Sequence, residues 1–149
     1  MKTRTTMPAR RGTTLVETAV VLTAMLIFLF AIFEYGRFTM VYHLITNAAR
    51  EGARVAVSGQ NAAPNATTAS IQSTVTNYLA GQPLANLNIQ VYKADPNTGA
   101  NIGAWTSAGF GDYVAVQVTG NYSSLLPTFG TIPNGVALQG TSMMMCEAQ

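Results

Sequence analysis

The sequence contains one cysteine, Cys146, and one histidine, His43. A single cysteine cannot close an intramolecular disulfide, and no Cys-x-x-Cys pair or metal-ligand spacing accompanies it. We therefore expect no internal disulfide, no metal site and no cofactor. Cys146 is most simply a small apolar residue near the end of a strand. His43 is most simply a solvated or interfacial side chain.

Charged residues are also scarce, at 9% of the 149 residues. This charge content argues against a disordered acidic tail and against a nucleic-acid-binding module. The formal charge of +2 reflects the N-terminus, because four of the eight basic residues precede Gly12. Without residues 1–12, four basic residues remain against six acidic ones, a formal charge of −2.

The groups that catalysis requires are missing as well. The sequence has no Gly-x-Ser-x-Gly motif, no phosphate-binding loop and no His/Asp/Glu metal set. Asp95 and Asp112 stand in turn-like contexts, where aspartate commonly caps its own backbone. We therefore expect no enzymatic activity, no small-molecule substrate and no nucleic acid as a ligand.

One long apolar run lies near the N-terminus. Residues 18–33 carry no charge, and residues 13–33 would form a helix of about 32 Å, close to the roughly 30 Å hydrocarbon core of a bilayer. A removable signal peptide ends in small residues at a cleavage site, and residues 34–38 lack that pattern. The run therefore predicts a transmembrane helix.

The basic residues predict the orientation of this helix. Positive charge favours the cytoplasmic side, so the N-terminus should stay in the cytoplasm and the chain from about Glu34 onward should be exported. The sequence thus predicts a single-pass protein of the inner (cytoplasmic) membrane. The basic residues that carry the prediction are Lys2, Arg4, Arg10 and Arg11.

Glu17 is an unexpected residue at the start of a membrane helix. A carboxylate costs roughly 2.5–3.5 kcal/mol at the bilayer centre and less near the edge. Cleavage after Gly12 would create an amine on Thr13, about one helical turn before Glu17. We therefore predict a cleavage site between Gly12 and Thr13, and charge pairing of the new amine with Glu17.

The helical period continues beyond the apolar run. No proline interrupts residues 13–57, and Ser58-Gly59 supplies a stop signal. The sequence therefore predicts one helix of about 45 residues, with residues 13–36 in the membrane and residues 37–58 as an amphipathic continuation. Its apolar stripe comprises Phe38, Val41, Ile45, Ala48, Gly52 and Val55, its polar stripe comprises His43, Asn47, Arg50 and Arg54, and Glu34–Arg37 and Glu51–Arg54 are i,i+3 pairs.

Residues 59–149 predict an exported α+β domain. A second helix should start near Pro64, Asn65 or Thr67, and Gly81 should end it. Alternating apolar residues then predict strands over 87–92 and 114–119, with a weaker candidate over 136–146, a turn at 95–99 and mostly loop over 121–135. The fold class is α+β: a long N-terminal helix, a second short helix and a small antiparallel sheet of about three strands.

Three motifs in order resemble the TadE-like family of minor pilins, or pseudopilins, of bacterial tight-adherence (Flp, type IVb) pilus systems. They are RGTTLVETA at residues 11–19, FEYGR at 33–37 and NAAREGAR at 47–54. The resemblance covers residues 11–57. The family-motif residues of the last two segments are Glu34, Gly36, Arg37, Asn47, Arg50, Glu51, Gly52 and Arg54.

The resemblance implies a pilin-like fold and processing of the leader, residues 1–12, by a prepilin peptidase. It places Glu17 in the role of the glutamate five residues after the cut. It implies other pilin subunits and the pilus assembly machinery as partners, in adherence or secretion, and a pilus at the cell surface as a further location. Thr23 stands where the family often has a proline, so a kinked membrane helix is not implied. Thr18 replaces the aromatic residue typical of the major pilin, which favours a minor subunit.

Two other functions remain open on the residues. A signal-anchored periplasmic scaffold or binding protein with no pilus role would need neither the cut nor Glu17. A secreted enzyme with a signal peptide is disfavoured, because catalytic groups and a signal-peptidase pattern are lacking. The N-terminus of the mature protein distinguishes these possibilities.

Overall fold

The computed structural model describes residues 11–61, 66–82, 84–125 and 135–147. It divides the chain into an N-terminal unit, Met1–Gly36, and a C-terminal unit, Arg37–Gln149. The leader up to residue 10 lies outside the described residues, as do Pro64 and Asn65, two of the predicted helix starts.

Helix α1 extends from Arg11 to Asn61 without a break, 51 residues in all. It is longer than predicted, since Ser58 and Gly59 continue the helix. The Ser58 hydroxyl donates to the Val55 carbonyl at 3.2 Å, a local bond that is compatible with helical backbone. Thr23 likewise donates its hydroxyl to the Ala19 carbonyl at 2.8 Å. Because threonine keeps the backbone N–H that proline lacks, α1 is uninterrupted where the family often has proline.

Helix α2, Thr68–Tyr78, confirms the predicted second helix. Thr67 is its N-cap: the Ser70 N–H donates to the Thr67 hydroxyl at 3.1 Å, and the Thr67 N–H donates to the Ser70 hydroxyl at 3.0 Å. Past the last turn, Gly81 has a φ of +91°, a conformation that glycine adopts at little cost.

Four strands form one antiparallel sheet in the order β2-β1-β3-β4. The three predicted strands are confirmed, and the α+β class with them, but the predicted strand count was too low. The added strand, β2, has only four residues, all exposed, so no apolar alternation marks it. The strands are β1 (Leu84–Ala94), β2 (Asn101–Ala104), β3 (Tyr113–Tyr122) and β4 (Val136–Met145).

The alternation predicted for the first strand is wrong at Leu87, which is exposed. A bulge lies between Ala85 and Asn88, where Asn86 has a φ of +53°. Beyond the bulge, Ile89 and Val91 are half-buried and pack against the core, as the period of two predicts.

The core of the C-terminal unit lies between the sheet and the second half of α1. The predicted apolar stripe of α1 is confirmed, because Phe38 and Val55 are half-buried and the other four members are buried. Trp105, in a 3-10 turn after β2, is also buried, and its Nε1 donates to the Thr68 hydroxyl at 2.9 Å. The α1 and α2 residues of the core include Val41, Ile45, Ala48, Ala49, Ala53, Ala56, Ile71 and Val75, and those of β3 include Val114, Val116 and Val118.

Candidate functional site

The predicted cleavage and pairing residues, Gly12, Thr13 and Glu17, lie at the N-terminal end of α1, and all three are exposed. A Cβ added at Gly12 would have no described atom within 4 Å. Packing against the described residues therefore does not require a glycine there.

The surface that follows these residues is apolar and exposed. Thirteen large apolar side chains between residues 15 and 33 are 42–72% exposed in the N-terminal unit. Exposed apolar surface of this extent marks a membrane or protein contact. Among the described residues, α1 is the one helix long and apolar enough to cross a membrane, which is consistent with a single-pass anchor.

The NAAREGAR motif, residues 47–54, divides between two faces of α1. Its small residues Ala48, Ala49, Gly52 and Ala53 are buried against the rest of the C-terminal unit. A Cβ on Gly52 would lie 2.6 Å from Val75 Cγ2 and 3.2 Å from Val116 Cγ1. Glycine at 52 therefore permits α1, α2 and β3 to meet, which gives this motif residue a structural role.

The polar residues of the same motif point away from the core. Asn47, Arg50 and Arg54 are exposed, and Glu51 is half-buried. Arg54 Nε donates to Glu51 Oε2 at 3.0 Å, as the i,i+3 spacing predicts. This bond lowers the pKa of Glu51 and raises the pKa of Arg54. An exposed pair of this kind contributes little to stability.

Arg37, from the FEYGR motif, holds the start of the C-terminal unit to the end of β3. Its Nη2 donates to the Ser123 carbonyl at 3.2 Å, and its guanidinium carbon lies 4.8 Å from the Tyr122 ring centroid. The ring of Phe38 meets the same tyrosine edge-on, with centroids 5.5 Å apart. The sequence suggested Glu34 as a partner for Arg37 but not these contacts. Gly36 has no described atom near its Cβ position.

Sequence reasoning missed Gly140, in the middle of β4. A Cβ there would lie 2.9 Å from Ile45 Cγ2 and 3.1 Å from the backbone carbon and oxygen of Ile45. Helix α1 therefore packs directly on the backbone of β4. The available signal was a glycine inside a candidate strand, which indicates close approach of another backbone.

A polar cluster lies where β1, β3 and β4 meet. Lys93 Nζ and Asp112 Oδ2 are 2.6 Å apart, and the Gly109 N–H donates to the same oxygen at 2.8 Å. Both bonds lower the pKa of Asp112, the lysine more strongly. The Cys146 N–H donates to the Asp112 carbonyl at 2.8 Å, and burial raises the pKa of the Cys146 thiol. A buried, protonated thiol is poorly reactive, which fits the structural role predicted for it.

The remaining predicted polar residues have local roles. Asp95 Oδ1 accepts the N–H groups of Asn97 and Thr98 at 2.8 and 2.9 Å, which confirms the capped turn and lowers the Asp95 pKa. His43 is exposed, and its ring lies 5.9 Å from that of Tyr42. The described part of the chain contains no group of three or more His, Cys, Asp or Glu residues that could hold a metal ion.

Comparison with known proteins agrees with the sequence motifs. Residues 12–54 match the model of the TadE-like protein family, which confirms the resemblance of this segment. The match lies within α1 and includes Gly12, Glu17 and the whole NAAREGAR motif. No curated protein and no solved structure matches the chain.

Proposed function

We propose that this protein, TadE-like over residues 12–54, is a minor pilin or pseudopilin that a prepilin peptidase processes and that contributes to pilus assembly, adherence or secretion. The observation that carries the proposal is the family match on a helix whose first half exposes a continuous apolar surface. Such a surface suits both lipid and a bundle of like helices.

The location of the folded core is compatible with a transfer of the apolar half of α1 from lipid into a bundle of like helices. Every buried apolar residue in the described part of the chain lies at Val41 or later. The C-terminal unit therefore forms its core without using residues 13–33. Moving those residues from lipid into a helical bundle would leave the core of the C-terminal unit intact.

The N-terminal end of α1 supplies the chemistry of assembly. Before cleavage, the basic leader holds the N-terminus on the cytoplasmic side. After cleavage, the Thr13 amine lies at the membrane edge, and Glu17 neutralises it in the same chain or in a neighbour. Since desolvation offsets much of the attraction between two buried charges, this pair serves mainly to set the register of neighbouring helices.

The test is the N-terminus of the mature protein, determined by intact mass and N-terminal sequencing in cells that contain the peptidase. We expect it to begin at Thr13. Gly12→Val should block cleavage, because a bulky side chain would clash where the peptidase approaches the backbone closely. Gly36→Val is the matched control: Gly36 also lies in α1 with free space at its Cβ position, and this variant should be cut normally.

A wild-type protein that begins at Met1, or beyond Phe33, would contradict the proposal. An uncut N-terminus would instead favour a signal-anchored periplasmic scaffold or binding protein. That alternative needs neither Gly12 nor Glu17, and the substitution Gly12→Val should then leave the N-terminus unchanged and alter the intact mass only by the difference between the two side chains.

A further inference from the structure

Gly36 is the central residue of α1, a position where glycine weakens a helix. Twenty-five residues of the helix precede it, Arg11–Tyr35, and 25 follow it, Arg37–Asn61. Glycine loses more backbone freedom on folding than any other residue, and it exposes the helix backbone to water. Relative to alanine, it favours local opening of a helix about fivefold. A glycine at the centre of a long helix therefore needs a physical reason.

Packing supplies that reason at Gly52 but not at Gly36. A Cβ on Gly52 would lie 2.6 Å from Val75 Cγ2. A Cβ on Gly36 would have no described atom within 4 Å. The described part of the chain thus has room for alanine at position 36, and alanine would make α1 more stable. The reason for glycine at this position is not close packing inside the chain.

The helix changes its surroundings at Gly36. The two compact units divide between Gly36 and Arg37. Arg37 donates to the Ser123 carbonyl and lies over the Tyr122 ring, and Phe38 meets the same ring. These contacts fix α1 to the sheet from Arg37 onward. Before the division, the large apolar side chains of residues 15–33 are 42–72% exposed, so the direction of that half is set by the lipid or the helices around it.

Water can reach the helix backbone at Gly36 but not in the middle of a bilayer. The hydrocarbon core has no water to satisfy an opened N–H or C=O group, so helices stay closed there. Gly36 is the last residue of the predicted membrane segment and lies three residues beyond Phe33, where the apolar run ends. The space around its Cβ position is open. Water can therefore satisfy the backbone groups at Gly36 when their helical bonds open.

We propose that Gly36 is a hinge in α1, about which the C-terminal unit changes direction when the apolar half of the helix passes from lipid into a bundle of like helices. The inference rests on the proposed function, which supplies these two environments. The tilt of an apolar helix is set by the helices and interfaces around it, so the passage changes that tilt. Opening a few helical bonds at one glycine absorbs the change, and the contacts of Arg37 and Phe38 stay intact.

An exposed glycine can also permit close approach of a partner helix, and a displaced glycine distinguishes the two roles. Flexibility survives when the glycine moves by one residue. A bare contact face does not survive, because adjacent residues of a helix point about 100° apart. The decisive comparison is between Tyr35→Gly/Gly36→Ala and Tyr35→Ala/Gly36→Ala, which differ only in the presence of a glycine at position 35.

Hydrogen exchange measures the hinge itself, in the full-length protein in lipid nanodiscs. The amides of residues 37–40 make the helical bonds that span or end at Gly36. Gly36→Ala should slow their exchange about fivefold. Tyr35→Gly/Gly36→Ala should restore the faster exchange, and Tyr35→Ala/Gly36→Ala should not. Equal exchange in wild type and Gly36→Ala would overturn the hinge.

Assembly in cells that make the pilus tests what the hinge is for. Gly36→Ala should reduce co-purification with other pilins at least tenfold. Tyr35→Gly/Gly36→Ala should recover at least five times more partner than Tyr35→Ala/Gly36→Ala. His43→Ala is the control, because it adds an alanine at an exposed position of α1 beyond the Arg37 contacts. This variant should assemble normally.

The outcomes separate this inference from the proposed function. Normal assembly of Gly36→Ala would overturn the hinge. Equal loss in the two double variants would also overturn it and would assign Gly36 to the contact face of a partner helix. In either case, cleavage after Gly12 and Glu17-dependent assembly would leave the proposed function standing. A mature protein that is never cut at Gly12 would overturn the proposed function itself.

Discussion

Gly140→Ala tests whether the direct contact between α1 and the backbone of β4 requires a glycine at position 140. The added Cβ would lie 3.1 Å from the Ile45 backbone, which a rotamer change cannot relieve. Overpacking of this kind costs about 1–3 kcal/mol of unfolding free energy. For a domain of this size, 1 kcal/mol corresponds to about 4 °C, so the Tm of the C-terminal unit should fall by roughly 4–12 °C.

Gly120→Ala is the matched control for this substitution. Gly120 lies in β3 directly opposite Leu138 of β4, and its added Cβ would be 3.4 Å from Leu84 Cβ, an ordinary contact. Because alanine loses less backbone entropy than glycine on folding, this variant should be neutral or more stable by about 0.5 kcal/mol. The assay is thermal unfolding of the full-length protein in detergent, followed by near-UV circular dichroism. Equal Tm values for the two variants would refute the packing argument.

Three further predictions concern assembly, topology and pH. Glu17→Gln should preserve insertion and cleavage but reduce co-purification with other pilins, because an uncompensated buried amine costs roughly 3–5 kcal/mol; wild-type recovery and adherence would contradict this. Alkaline phosphatase fused after Gly81 should be active, and a reporter that is active only in the cytoplasm should give no signal at the same position. The reverse result would overturn the predicted orientation. Because the pKa of Asp112 is lowered in the folded state from its ordinary value of 3.8, the ionised carboxylate stabilises the fold at pH values above 3.8. This stability is lost as the pH falls through the folded pKa. Tm measured from pH 6 to 2 should therefore fall less for Asp112→Asn than for wild type, and parallel curves would show that the Lys93–Asp112 pair contributes nothing.

The local patterns of the chain determined its elements. The uncharged run over residues 18–33 and the unbroken helical period after it indicated α1, because these features depend only on neighbours within a few turns. The period of two indicated β1 and β3 for the same reason, and β4 more weakly. The Thr67 cap and the Asp95 turn are also local, since each side chain bonds to backbone two or three residues away.

The tertiary structure decided which elements pair and which residues of each element make contacts. Strand β2 exists because the turn at residues 95–99 returns the chain to β1, and its own residues carry no apolar pattern. The NAAREGAR motif has one buried and one exposed face because α2 and β3 pack against α1 at Gly52. Tyr122 and Ser123, which Arg37 contacts, are 85 and 86 residues away from it along the chain, a distance at which periodicity carries no information.

The strand order that places β4 at an edge of the sheet has the same origin. Gln72 and Ile89 are 17 residues apart on different elements, and their hydrogen bond covers one edge. The sequence of β4 shows that this strand lacks charge and proline, but the strand order places it at an edge. Strand order depends on how the whole sheet packs against α1, and Gly140 permits the close approach of the helix backbone to β4. The strand order was therefore decided by non-local packing and not by the residues of β4 alone.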